Sequence, residues 1–132
     1  MKKGIVLFLT VAGTGMVFVV LNGEQLSLQI GYVIAFTMFG LVGALIASRD
    51  PRNTIGLLFM FASFMSALSF LSGEVLTYAV AHGQESWWVT VCGLFNGAGW
   101  LFGILPAVFL LPLLFPDGRL PSRRWRPFLW FI

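Results

Sequence analysis

Charged side chains are scarce in this chain, at 10% of its 132 residues, while 58% of the residues are hydrophobic. The mean hydropathy is +0.92, and an ordinary soluble domain carries roughly a quarter charged residues. This composition argues against a soluble globular fold. One membrane crossing takes about 20 apolar residues. The chain therefore has room for a single domain, residues 1–132, with about four or five crossings.

Cysteine and histidine are almost absent as well, with one residue of each. Cys92 cannot form a disulfide within the chain, and a thiol in an apolar run usually acts as a small hydrophobe. His82 and Glu85 are too few ligands for a zinc site, so we expect an exposed loop histidine. The sequence has no Ser/His/Asp arrangement, phosphate-binding glycine loop or paired-carboxylate motif. It predicts no catalytic residue, cofactor or metal in this chain.

The eight basic residues form three short clusters separated by long apolar runs. They are Lys2, Lys3, Arg49, Arg52, Arg119, Arg123, Arg124 and Arg126. Alternate crossings place all three clusters on one side, and basic residues in short loops are retained in the cytoplasm. The sequence therefore predicts a multi-pass protein of the cell membrane with a cytoplasmic N-terminus. Glu24, Glu74 and Glu85 would lie on the outer side.

The arginine cluster between residues 119 and 126 would lie at the cytoplasmic headgroups of the lipid bilayer. Each basic residue there contributes about 1 kcal/mol of attraction to anionic lipid. The cluster is short and close to membrane segments, so we expect no nucleic-acid binding.

The apolar runs predict helices over about residues 4–21, 27–48, 55–73 and 87–112, and a further run, 127–132, is too short to span. The predicted fold class is all-α, a polytopic membrane helical bundle of about four complete transmembrane helices plus the start of a fifth. The chain is expected to be cut off within that fifth helix. The first run is longer than a signal peptide's apolar region and lacks a cleavage site, which favours an uncleaved helix over a signal peptide.

Several residues predict where these helices begin, bend and end. Pro51 and its charged neighbours oppose continuation of the second helix, and Asn53 or Thr54 can N-cap the third. The third helix is expected to run to about Ser72 or to extend further, and the polar residues scattered over 73–86 predict its end and then a surface loop. Pro106 predicts a bend in the fourth helix, and Pro112 predicts its end.

The third helix divides into two faces when its residues are placed about 100° apart. The small face comprises Gly56, Ala62, Ser63, Ser66, Ala67, Ser69 and Gly73. The bulky face comprises Leu57, Met60, Phe61, Phe64, Met65, Leu68 and Leu71. Helices in lipid associate through close backbone approach and hydroxyl hydrogen bonds. We expect the small face to meet another helix and the bulky face to meet lipid.

Two intramembrane polar residues are candidate sites. Glu74 projects onto the small face, about 20° from Ser63, where it either reaches water at the helix end or has a sensing or proton-linked role. Asn96 can hydrogen-bond across the bundle. On the same helix, Gly93 and Gly97, and then Gly99, Gly103 and Ala107, recur every fourth residue. This spacing predicts close packing within the molecule in preference to a dimer seam.

The two predicted cytoplasmic loops resemble those of a known family. Residues 44–56 read ALIASRDPRNTIG and residues 114–127 read LFPDGRLPSRRWRP. They resemble the N-terminal multi-helix membrane region of certain bacterial sensor histidine kinases. The first loop of that family usually reads Arg-x-Pro-x-Asn-Pro-Ile-Gly-Trp; here Thr54 replaces the second proline and Leu57 the tryptophan.

The resemblance implies the membrane-embedded sensory or anchoring input region of a two-component system. Further helices, signalling modules, a dimerising helix with the phosphoacceptor histidine and an ATP-binding domain would follow Ile132, and any homodimer would form there. The parent protein would be an ATP-dependent protein-histidine kinase, whereas this chain lacks the kinase core. The alternative is an independent small membrane protein that acts as a structural partner or transporter subunit. A pore or transporter is disfavoured, because the spanning segments contain no central charge and no obvious pair of interrupted helices related by a repeat.

Overall fold

The described residues form an all-helical bundle. The computed structural model describes the backbone of residues 2–114 and the side chains of residues 6–105, 108 and 109. The helices in this range are α1 (Lys2–Asn22), α2 (Leu26–Arg49), α3 (Thr54–Ala81) and α4 (Trp87–Leu114). The predicted all-α class is confirmed. The apolar run 127–132 and the arginine cluster from Arg119 to Arg126 lie outside the described residues, as do the side chains of Lys2 and Lys3.

Three helices are long and apolar enough to cross a membrane: Leu26–Arg49, Thr54–Ala81 and the stretch Trp87–Leu105 of α4. Their 24, 28 and 19 residues span about 36, 42 and 28 Å at 1.5 Å per residue, against a hydrocarbon core of about 30 Å. The described apolar part of α1 is shorter, Val6–Asn22. The membrane character is therefore supported by three helices, while four complete crossings and a fifth remain predictions.

Local chemistry explains three of the helix boundaries. The Asn53 Oδ1 accepts hydrogen bonds from the backbone N–H groups of Ile55, at 2.9 Å, and Gly56, at 3.4 Å. Asn53 is thus the N-cap of α3, one of the two caps that the sequence predicted. The turns after α1 and α3 use Gly23 and Gly83 at φ of +69° and +65°, a backbone region that residues with a Cβ disfavour.

The predicted end of the third helix near Gly73 is wrong, because α3 continues to Ala81. Two long-range contacts hold this last part of the helix against α1. Asn22 hydrogen-bonds to Glu74, and the rings of Phe18 and Tyr78 meet edge to face at 5.4 Å. Glu74 and Tyr78, two of the polar residues that suggested a loop, are therefore helical residues with partners, whereas residues 82–86 do form an exposed loop.

The two prolines of the fourth helix do not end it. The backbone of α4 is helical past both Pro106 and Pro112 and reaches Leu114. Helix α4 therefore extends slightly beyond its predicted end at Pro112. A proline removes one backbone donor, and here that loss does not stop the helix.

Helix α3 is the centre of the bundle. It contacts α1, α2 and α4, and α1 also contacts α2, whereas the described parts of α2 and α4 do not contact each other. Loop residues 23–25 and 82–86 lie at one end of the bundle, called the Glu24 end, and residues 50–53 lie at the other, called the Asn53 end. The described core joins Ala12, Phe36 and Ala67, one residue from each of α1, α2 and α3.

The small face of α3 packs against its neighbours as predicted. At the contact with α2, a Cβ built on Gly43 would lie 2.7 Å from the Gly56 carbonyl oxygen. At the contact with α4, a Cβ on Gly103 would lie 3.0 Å from the Ala62 carbonyl oxygen. Small residues thus allow the backbones to approach closely. Gly97, by contrast, has no neighbour within 4 Å of a built Cβ, so its predicted close packing is not found among the described residues.

The bulky face of α3 is only partly turned outward. Leu57 and Phe61 are exposed, as expected for lipid contact. The others are half-buried: Met60, Phe64, Met65, Leu68 and Leu71. Packing against α1, α2 and α4 leaves a central helix only a narrow free side.

Candidate functional site

A lateral groove separates α2 from α4, and α3 forms its floor. Its volume is about 960 Å³, within the range of about 300–1,000 Å³ typical of small-molecule sites. Helix α2 contributes Gln29, Tyr32, Ala35, Phe36 and Phe39. Helix α3 contributes Ala62, Ser63, Ser66, Ser69, Phe70, Gly73, Glu74 and Thr77. Helix α4 contributes Asn96, Trp100, Ile104 and Val108, and Glu24 reaches in from the loop after α1.

Helical spacing accounts for this lining. The α4 residues recur at every fourth position, which places them on one stripe of that helix. Twelve positions separate Asn96 from Val108, so the stripe is about 18 Å long at 1.5 Å per residue. The groove therefore follows the helix axes for a large part of the bundle's length.

The charged side chains of the described lining lie at one end of the groove, and the walls at the other end are apolar. Glu24, Gln29, Glu74 and Thr77 lie toward the Glu24 end. Toward the Asn53 end the walls are Phe39, Ile104 and Val108, and the floor is Ala62, Ser63 and Ser66. No lysine, arginine or histidine occurs among the lining residues that the structure describes. The described lining is thus amphipathic, and its formal charge is negative and lies at one end of the groove.

Glu74 is buried at the junction of α1, α3 and the groove, with 5% of its surface exposed. The Asn22 Nδ2 donates to the Glu74 Oε2 at 2.9 Å and to the Glu74 carbonyl oxygen at 3.0 Å. A carboxylate offers about four acceptor positions, so this pairing leaves the group able to accept further hydrogen bonds. Glu74 therefore does not lie at a water-exposed helix end. Its carboxylate is held by the side-chain amide of Asn22 on α1.

Glu24 is the accessible carboxylate of the groove. It is exposed, and its Oε2 accepts a hydrogen bond of 2.6 Å from the Gln29 Nε2, one turn into α2. That bond holds the Glu24 carboxylate against the first turn of α2. Glu24 and Glu74 therefore line the same polar end from two different elements.

Hydroxyl groups of α3 connect the floor of the groove to both walls. The Ser63 Oγ donates to the Phe36 carbonyl oxygen of α2 at 2.6 Å. The Ser69 Oγ donates to the Asn96 carbonyl oxygen of α4 at 3.3 Å. Ser63 is almost fully buried, at 1% exposed. These bonds confirm that hydroxyls of the small face join helices, as expected in lipid.

The structure brings the two predicted intramembrane polar residues, Glu74 and Asn96, into the same groove. The cross-bundle hydrogen bond at Asn96 uses the backbone carbonyl of that residue. The Asn96 Oδ1 lies against Gly73, 2.7 Å from the position that a Cβ on Gly73 would occupy. Arg49 and Arg52 are exposed at the Asn53 end, away from the groove. In the described part of the chain, no three His, Cys, Asp or Glu residues are grouped as metal ligands.

Several residues at the groove were not identified from the sequence. Asn22 was not singled out, yet it is the hydrogen-bond partner of Glu74, which lines the groove. Tyr32 and Trp100 were not singled out, although Tyr32 follows Gln29 by three positions and Trp100 follows Asn96 by four. That spacing on one helix face is the signal that marks them.

Comparisons with known proteins do not identify a relative. No protein-family model, curated protein or solved structure matches this chain.

Proposed function

We propose that the chain is the membrane-embedded sensory input region of a two-component sensor histidine kinase, with the kinase core absent from the chain itself. The observation that supports this is the groove between α2 and α4. The described parts of these two helices are joined only through α3, so an occupant that touches both walls changes their separation. Shifts of about 1–2 Å between helices are a known means of passing a signal through a protein.

The hydrogen bonds around α3 make such a shift consequential. Ser63 and Ser69 tie α3 to both walls, and Asn22 ties α1 to the same helix through Glu74. A displacement of either wall therefore strains bonds to α3. Helices α2 and α3 meet at the loop of residues 50–53, which lies in the motif that resembles the kinase family. In the predicted orientation that loop faces the cytoplasm.

The reading frame that follows Ile132 in the genome tests this proposal directly. We expect it to encode further helices, a dimerising helix with a phosphoacceptor histidine and an ATP-binding domain. A stop codon directly after Ile132, with no kinase gene beside it, would count against the proposal. If the kinase domain is present, autophosphorylation is measured in membranes that contain the full-length protein. We expect a Ser66→Trp change to alter its rate, because the indole side chain enters the groove. A Leu57→Trp change on the exposed side of α3 serves as the control.

The same groove also favours a second function, that of an independent small membrane protein bound to a partner. Without contact between the described parts of α2 and α4, a helix of another protein has access to the floor of α3. This alternative predicts one partner that co-purifies from native membranes in fixed ratio. It also predicts that a photoreactive residue in place of Tyr32, in the α2 wall, cross-links to that partner, and that the same group in place of Leu57 does not.

A further inference from the structure

We infer that the groove binds a free amphipathic cation, with its positive head between Glu24 and Glu74 and its apolar tail along Phe39, Ile104 and Val108. This inference rests on the proposed sensory function, because it names the chemical class of the stimulus. It begins from the amphipathic lining: charged groups at one end of a continuous groove and apolar walls at the other. A molecule of matching polarity satisfies both ends at once.

The sign of the head group follows from the charges in the lining. The two acidic residues at the polar end, Glu24 and Glu74, are both carboxylates, and the described lining has no basic residue. An ammonium head gains charge-assisted hydrogen bonds there. An anionic head would be repelled by the two carboxylates, so the groove should not bind an anionic amphiphile. Asn22 already occupies one acceptor position of Glu74, so the exposed Glu24 makes the first contact.

The same charges disfavour an ordinary phospholipid as the occupant. Even a zwitterionic lipid with an ammonium group carries a phosphate, which would have to lie beside Glu24 and Glu74. A free amphiphile without phosphate avoids that repulsion. The groove opens sideways between two helices that do not contact each other in the described range, so such a molecule can enter from the bilayer after partitioning into it.

Calorimetric titration of dodecylammonium into phosphatidylcholine nanodiscs that contain the chain tests the inference, with empty nanodiscs subtracted. We expect saturable binding of one dodecylammonium per chain, and none of dodecyl sulfate. Joint Glu24→Gln and Glu74→Gln changes should weaken binding about tenfold or more, because they remove the charge-assisted hydrogen bonds to the ammonium head. The amide at position 74 can still accept the bond from Asn22, which preserves the fold.

Matched variants separate the groove from general surface charge. Glu85→Gln removes an exposed carboxylate in the loop after α3, outside the groove, and should leave the affinity unchanged. Ser66→Trp should abolish binding by filling the groove, whereas Leu57→Trp should not. Helix content from circular dichroism verifies that each variant is folded.

Several results would overturn the inference. These are no saturable binding by the folded chain, equal affinity for dodecyl sulfate, or unchanged affinity in the double glutamine variant. Loss of dodecylammonium binding when phosphatidylethanolamine is added to the nanodiscs would identify a lipid as the occupant instead. Cross-linking of a helix from a second protein in the groove would identify a protein partner as the occupant instead. None of these measurements needs a kinase, so failure here is distinct from failure of the proposed function, which the downstream reading frame decides.

Discussion

Replacing Gly43 with alanine is expected to separate α2 from α3 at their closest contact. A Cβ at this position would lie 2.7 Å from the Gly56 carbonyl oxygen and 2.8 Å from the Met60 backbone nitrogen. Both are backbone atoms of α3, so no side-chain rotation relieves the overlap. Ordinary contacts begin near 3.4 Å, and the helices must therefore move apart locally by about 0.7 Å.

The cost of this change follows from the packing that it disturbs. Forcing one extra carbon into a closely packed contact typically destabilises a protein by about 1–3 kcal/mol. Part of that cost is lost dispersion energy, because a gap of 0.5–1 Å removes roughly a quarter to a half of each contact's attraction. We expect Gly43→Ala to lower the free energy of unfolding by about 1–3 kcal/mol.

Gly31, on the same helix, provides the matched control. A Cβ there has nothing within 4 Å, so alanine adds no clash and removes the helix-propensity penalty of glycine, about 0.5–1 kcal/mol. We expect Gly31→Ala to be neutral or stabilising. Reversible unfolding in mixed micelles of mild detergent and dodecyl sulfate, followed by far-ultraviolet circular dichroism, measures both variants against the parent chain. Equal effects of the two substitutions would refute the argument that backbone contact at Gly43 holds α2 against α3.

Three further predictions use the same unfolding assay or topology labelling. Asn53→Ala should destabilise the chain by about 1 kcal/mol through loss of the α3 N-cap; an effect below experimental error would contradict that role. Asn22→Ala should cost about 1–3 kcal/mol, because it removes the bond to the buried Glu74, and Glu74→Gln should cost less, since the amide still accepts that bond; the reverse order would count against the pairing. A cysteine at Gln84, in a Cys92→Ala background, should react with an impermeant thiol reagent from outside intact cells; labelling only after permeabilisation would reverse the orientation.

The sequence predicted the helical elements well where the signal was local. Apolar runs interrupted by charge, proline and glycine gave the places of α2 and of the loop at 50–53, and Asn53 was one of the two caps expected for α3. The division of α3 into faces was also correct for its small side. Each of these features depends on residues within a few positions of one another.

The identity of the long-range partners was not predicted, and α3 illustrates the reason. The sequence from Gly73 onward contains polar residues that resemble a loop, but Glu74 and Tyr78 have partners on α1. Whether a polar residue such as Glu74 ends the helix or continues it depends on its partner. For Glu74 that partner is Asn22, which lies 52 positions away in the sequence. That partner cannot be read from the spacing of the helix itself.

The amino-acid sequence by itself determined that this protein is helical and apolar enough for a membrane, and which side of α3 is small, because length, polarity and periodicity are properties of each segment. Only the tertiary structure decided that α3 is central, that the described parts of α2 and α4 stay apart, and that Glu74 and Asn96 line one groove. In lipid there is little hydrophobic drive between helices. Neighbours are therefore chosen by the fit of two surfaces, a property of the pair that neither sequence segment contains.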